Sequence, residues 1–146
     1  KRVSRPLLSG FVCPKCHHHF RLNARQRWEL LLDGHWIEHD ARITSNDPLK
    51  FVDTKPYAAR LKEARRKLGM ADAILTAEGL LDGRPVLCCS MEFGFIGGSM
   101  GAVVGEKVTL AIERAMGRLN PYFPLLMVPF PASMRAFSFT SRSRAA

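Results

Sequence analysis

The chain reads as an α/β protein built around a glycine-rich turn, and three features carry that reading. Two β-type runs, Ala73 to Glu78 and Pro85 to Met91, flank Leu81-Asp82-Gly83-Arg84. Asp-Gly between apolar runs is the strongest short hairpin signal. Five glycines then fall between Met91 and Lys107. Beyond them Val104, Val108, Ala111, Ile112 and Ala115 share one face of a helix, with Ser99 as its expected cap and Leu125 to Val128 as the next buried strand. Strand, helix, strand is the repeating unit of an α/β sheet.

The earlier elements follow from the same signals. Asn23 is placed to cap a helix in which Ala24, Trp28, Leu31 and Leu32 share a face, with Gly34 closing it at positive φ. An extended piece is expected at Trp36 to Glu38, and Ser45-Asn46-Asp47-Pro48 marks a loop. Pro56 opens a second helix whose Tyr57, Leu61, Ala64 and Leu68 face inward, and Gly69 ends it. Arg60, Lys62, Arg65, Arg66 and Lys67 lie outside that stripe, where a solvated surface face is the preferred reading. Residues 129–146 lose periodicity and are polar and basic, so a frayed or disordered tail is expected.

Composition narrows the class. With 47% hydrophobic and 24% charged residues the chain is of ordinary globular type, and no uninterrupted apolar run reaches the roughly 20 residues of a membrane span. No secretory signal is read at Lys1 to Gly10, which makes the cytoplasm the expected location. The formal net charge of +9 favours phosphorylated ligands or nucleic acid. Arg2, Arg5, Lys15, Arg21, Arg25 and Arg27 crowd the beginning, a cluster that suits solvation, a polynucleotide or the polyphosphate coenzyme A.

The four cysteines are of two kinds. Adjacent Cys88 and Cys89 point to opposite faces of a buried strand and read as small apolar fillers. Cys13 and Cys16 have the Cys-x-x-Cys spacing that presents two thiolates to zinc from one tight turn. Two ligands make half a tetrahedral site; His17, His18 and His19 are adjacent candidates, although the first is awkwardly close to Cys16. Cys13 to His17 also fits the haem-attachment pattern, a weaker reading than a zinc knuckle.

Gly97-Gly98-Ser99-Met100-Gly101 has the chemistry of a ligand cradle. Glycines admit positive φ and close approach to bare backbone, while the following helix offers unpaired N–H groups to an anion or thioester. The spacing meets neither the dinucleotide fingerprint nor the P-loop, since Lys107 lies too far from the turn. No Ser, His and Asp triad is recognisable, and Glu92 has no evident carboxylate partner.

From Phe11 to Met116 the wording of the chain is more specific than its spacing. Val-Cys-Pro-Lys-Cys-His-His-His at 12–19, Asp47-Pro48-Leu49-Lys50-Phe51, Lys55-Pro56-Tyr57, Gly83-Arg84-Pro85-Val86 and Gly97-Gly98-Ser99-Met100-Gly101 with Val103-Val104-Gly105-Glu106-Lys107 resemble the carboxyltransferase β subunit of bacterial and plastid acetyl-CoA carboxylase. The resemblance implies a partial crotonase-like α/β superhelix over residues 23–128, a half zinc ribbon over 1–22 and a divergent tail over 129–146. It implies carboxyl transfer from carboxybiotin to acetyl-CoA, giving malonyl-CoA for fatty acid synthesis. The implied partners are the carboxyltransferase α subunit, biotin carboxylase and the biotin carboxyl carrier protein in a hetero-oligomer, with structural zinc on Cys13 and Cys16. In a plant the location would be the plastid stroma.

Gly97, Gly98, Ser99 and Gly101 are then the expected acyl-CoA contacts. Two departures matter: the family has four ribbon cysteines where this chain holds two, and Pro129-Phe130-Pro131-Ala132-Ser133-Met134-Arg135 stands where the family has a second glycine-pair oxyanion turn. No catalytic residue is therefore assigned, and the chain is expected to be inactive alone. A zinc-ribbon nucleic-acid-binding module and a non-catalytic remnant are the alternatives.

Overall fold

The computed structural model describes residues 11–117 and 125–128. The chain divides into two compact units: a larger one, Leu22–Phe130, and a smaller one whose described residues are 11–21. The expectations for residues 1–10 and for the tail after Val128 lie outside the described residues.

The larger unit begins with α1 (Ala24–Leu31), followed by β1 (Trp36–His39), α2 (Tyr57–Leu68), β2 (Ile74–Leu81), β3 (Arg84–Met91), a short 3₁₀ turn at Ile96–Gly98, α3 (Ala102–Gly117) and β4 (Leu125–Val128). The sheet runs in order β1-β2-β3-β4. β2 is antiparallel to β1 and β3, while β3 and β4 are parallel across the α3 connection, so the expected strand, helix, strand unit is present.

Local chemistry accounts for most boundaries. Asn23 caps α1 in a full capping box with Gln26. α1 ends one residue earlier than its apolar spacing suggests, because Leu32 is already extended; Gly34 has positive φ but lies beyond the helix, its N–H bonded to the Leu32 carbonyl. α2 follows Pro56 and stops at left-handed Gly69, as expected. Asp82 and Gly83 both take positive φ, which a two-residue hairpin turn of the favoured hand requires. The antiparallel ladder extends to Leu81 and Arg84, further than the β-type runs themselves.

Two expectations on α3 are corrected. The helix starts at Ala102, so Ser99 lies too far upstream to cap it and instead ends the 3₁₀ turn. Its inward face is Val103, Val104, Lys107 and Ala111, with Val108 partly buried, while Ile112 is 41% exposed. A buried lysine displaces the apolar stripe by part of a turn. The core lies between the helices and the sheet, around Trp28, Leu61, Ile74, Leu75, Cys88, Cys89 and Phe95. Trp28 stacks edge-on against Trp36 with ring centroids 6.0 Å apart, joining α1 to the outer strand.

Candidate functional site

The chain leaves β3 at Met91 and is immediately fixed. The Glu92 N–H donates to the Ala73 carbonyl at 2.8 Å, and its carboxylate accepts from the Ala24 N–H and the Gly94 N–H, both at 2.9 Å. One buried carboxylate thus satisfies a donor in the first turn of α1 and a donor at the entry to the glycine turn. Beside it, buried Arg27 donates to the Met91 carbonyl at 2.9 Å and to the Leu22 carbonyl at 3.1 Å. Burial lowers the Arg27 pKa from its ordinary value, and the nearby Glu92 charge opposes that shift. Gly94 is closely approached: a Cβ there would stand 3.1 Å from Glu92 Oε1 and 3.4 Å from a Leu68 methyl, so those side chains would have to give way slightly.

The turn is held in an unusual backbone state. Ile96, Gly97 and Gly98 take φ of 46°, 68° and 71°, three consecutive left-handed residues. For a β-branched residue this is a genuine outlier of order 1–3 kcal/mol, tolerated only where the surroundings enforce it. Phe95, 2% exposed, anchors the turn from below. Its carbonyl accepts from the Gly98 N–H at 2.8 Å.

The four residues singled out in the sequence lie within one short segment but differ in what they offer. Gly98 is buried, with its N–H taken by Phe95, whereas Gly97, Ser99 and Gly101 are exposed. A Cβ at Gly97 or Gly101 would meet no atom within 4 Å, so packing within the chain does not demand their small size. Among the described residues, the Met100 and Gly101 N–H groups have no backbone acceptor, and the first-turn amides of α3 follow directly. The result is an open concentration of N–H donors at the start of a 16-residue helix, suited to a carbonyl oxygen bearing negative charge.

Behind the turn, α3 is fastened to the sheet by polar contacts that the apolar pattern does not report. Lys107 is 1% exposed, with its Nζ 3.4 Å from the Ile74 carbonyl. Burial lowers its pKa, opposed by Asp72, Glu38 and Asp40. Arg114 grips Asp40 through two hydrogen bonds of 2.9 and 3.2 Å. Its guanidinium lowers the Asp40 pKa. Lys107 sits three residues after Val104, so its place on the inward face is available from spacing. The Glu92 carboxylate and the Ala24 N–H lie 68 residues apart in the chain, a pairing with no local signal.

In the smaller unit, Cys13 and Cys16 come together in a tight turn. The Cys13 N–H bonds the His18 carbonyl at 2.8 Å, the His17 N–H bonds the Cys13 carbonyl at 2.9 Å, and Val12 bridges to His19. The N–H groups of Cys16 and Lys15, then the Cys16 thiol, lower the Cys13 pKa, which favours the thiolate that zinc requires. Among the described residues no group of three or more His, Cys, Asp and Glu is arranged to hold a metal, and the His18 ring packs edge-on against Phe20 instead. The described donors therefore amount to half a site.

Cys88 and Cys89 are fully buried, as expected of fillers, and burial pushes their thiols up to about 11 and about 12. In metal-free native protein at pH 8, a thiol reagent should modify Cys13 and Cys16 promptly and the other two only after denaturant is added. Four thiols reacting in one fast phase would contradict this core.

No protein-family model matches the chain. It is 50% identical over 111 residues to the acetyl-coenzyme A carboxylase carboxyl transferase subunit β of Citrifermentans bemidjiense, covering 75% of this chain and 39% of that protein. The subunit of the same name from Chlorobaculum tepidum is 44% identical over 119 residues, covering 81% and 42%. That from Trichodesmium erythraeum is 50% identical over 105 residues, covering 71% and 32%. The chain thus spans about two-fifths or less of the length of these relatives. Among solved structures, transcarboxylase 12S with methylmalonyl-coenzyme A and methylmalonic acid bound superposes with a TM-score of 0.56 at 27% identity, over 77% of this chain and 19% of that one. The α/β, crotonase-like reading of the fold is borne out, and over most of its length the chain is homologous to the carboxyl transferase β subunits of acetyl-coenzyme A carboxylase.

Proposed function

We propose that this chain carries the acyl-CoA-receiving part of a carboxyltransferase, in which a carboxyl group passes from carboxybiotin on a carrier protein to acetyl-CoA and gives malonyl-CoA for fatty acid synthesis. The observation that carries the reading is the strained turn Ile96–Gly98 with open donors at Met100, Gly101 and the start of α3. Carboxybiotin supplies the carboxyl group. The role of this chain is to hold the thioester so that its carbonyl oxygen accepts hydrogen bonds that strengthen as the acetyl methyl loses a proton and becomes an enolate. Donors fixed in place before reaction do this without reorganising, which is the use of an enforced backbone outlier.

The biotin-side oxyanion donors would come from a second glycine pair of the β subunit, which Pro129 to Arg135 do not supply; the working assembly is a hetero-oligomer with the α subunit, biotin carboxylase and the biotin carrier protein. Cys13 and Cys16 would hold half the ligand set of a structural zinc, and no chemical step runs through it. Calorimetric titration of the purified chain with acetyl-CoA should show saturable one-site binding. Addition of α subunit and carboxybiotin should still give no malonyl-CoA, because Pro129 to Arg135 contain no glycine pair. Absence of acetyl-CoA binding would remove the reading; turnover would show that the second donor pair is dispensable.

A further inference from the structure

The basic face of α2 has no structural role that accounts for all of it. Arg60 is occupied, donating to Asp53 at 2.6 Å and to Thr54 at 2.9 Å. Arg65 ties the preceding loop down, donating to the Ala71 carbonyl at 3.0 Å and the Ser45 carbonyl at 2.8 Å. That leaves Lys62, Arg66 and Lys67, all exposed, and among the described residues none of them pairs with a carboxylate. Lys62 and Arg66 stand one helical turn apart, where like charges repel. Arg66 and Lys67 also offset the dipole at the end of α2, but Lys62 lies too far back in the helix for that.

Placement gives the cluster its meaning. α2 packs against the glycine turn, and its last residue, Leu68, lies 3.4 Å from where a Cβ on Gly94 would stand. Lys67 and Arg66 therefore sit at the end of the helix that abuts the turn, and Lys62 lies about 6–7.5 Å further back along the helix axis. Coenzyme A carries its phosphates at the end remote from the thioester, joined to it by the long pantetheine arm. A ligand whose thioester rests on the turn needs cations at a distance from it.

We propose that Lys62, Arg66 and Lys67 on α2 hold the phosphate groups of the coenzyme A whose thioester the neighbouring turn receives. The proposal rests on the acyl-CoA reading of the turn and adds a second anchoring point. Arginine can meet a phosphate through two N–H donors and lysine as a point charge, and neither needs burial to contribute at moderate salt.

The test compares acetyl-CoA with S-acetyl-pantetheine, which keeps the thioester and lacks the nucleotide phosphates. In the full chain, K62Q, R66Q and K67Q combined should weaken acetyl-CoA binding by about tenfold, the scale expected when several exposed ion pairs are removed at once. S-acetyl-pantetheine binding should stay within about twofold of wild type. Glutamine is a good helix former, so α2 should persist, and unchanged far-ultraviolet dichroism checks this. R84Q, at the opposite end of β3 from the turn, should leave both affinities unaltered.

Acetyl-CoA affinity unchanged in the triple variant would overturn the phosphate role while leaving the acyl-binding turn intact. Failure of wild-type chain to bind acetyl-CoA would overturn both. A triple variant that loses binding of a single-stranded oligonucleotide but keeps its acetyl-CoA affinity would assign the face to nucleic acid and also overturn the proposal.

Discussion

Glu92→Ala should destabilise the protein by about 2–4 kcal/mol, because it leaves two backbone N–H donors without their acceptor and removes the charge that offsets the burial of Arg27. The carboxylate accepts from the Ala24 and Gly94 N–H groups, and it is the counter-charge to Arg27, itself only 5% exposed. Its loss leaves two donors without their acceptor and a buried guanidinium bonded only to neutral carbonyls. Since a domain of this size has total stability of only about 5–15 kcal/mol, the variant should unfold at much lower urea with a nearly unchanged slope. A second variant separates charge from hydrogen bonding: Arg27→Met together with Glu92→Ala should recover part of the loss, because no uncompensated charge remains. A single variant within about 1 kcal/mol of wild type would show that water replaces the carboxylate and that the α1-to-turn link is dispensable.

That link marks the boundary of what the sequence makes legible. Local features are readable: the Asn23 cap, the Asp82-Gly83 hairpin, the Gly69 stop of α2 and most of the apolar face of each helix follow from rules that operate within one or two turns. Links between elements far apart in the chain are not. Glu92 reads as a carboxylate without a purpose because its partners lie across the fold, at Ala24 and Arg27. Lys107 escapes for a different reason. Spacing places it on the inward face of α3, but its charge argues for solvent, and the carboxylates of Asp72, Glu38 and Asp40 that make its burial tolerable lie on other elements.

The site is legible as a location rather than as a geometry. The run from Gly97 to Gly101 identifies the turn and its family, yet composition does not distinguish a buried glycine whose N–H is used internally, Gly98, from exposed ones facing open space, Gly97 and Gly101. Nor does it show that Ile96 shares the left-handed conformation, since that residue type ordinarily argues against it. The structure also changes the reading of α2. As a sequence it is an amphipath with a solvated basic side; packed against the turn, with two of its five cations already bonded to the protein, it presents a smaller set of exposed charges.

Gly101→Ala should separate binding from stability at that position. Its φ is not positive, and an added methyl meets no atom within 4 Å, so the folded chain accommodates alanine without strain or clash. Two small effects then oppose each other. Alanine reduces the freedom of the unfolded chain, which stabilises by about 0.4–1 kcal/mol. At the residue preceding Ala102, whose carbonyl accepts from the Gly105 N–H at 3.2 Å, alanine is a poorer cap than glycine by a similar amount. The melting temperature should therefore move by no more than a few degrees. The methyl, however, would occupy the space in front of the exposed N–H donors, and acetyl-CoA affinity should fall about tenfold or more, equivalent to roughly 1.4 kcal/mol. Gly97→Ala differs in an informative way: its left-handed φ of 68° adds a stability loss of about 1–2 kcal/mol to a comparable loss of binding. If Gly101→Ala binds acetyl-CoA as tightly as wild type, the open space before α3 is not where the thioester lies, and the small residue there has some other cause.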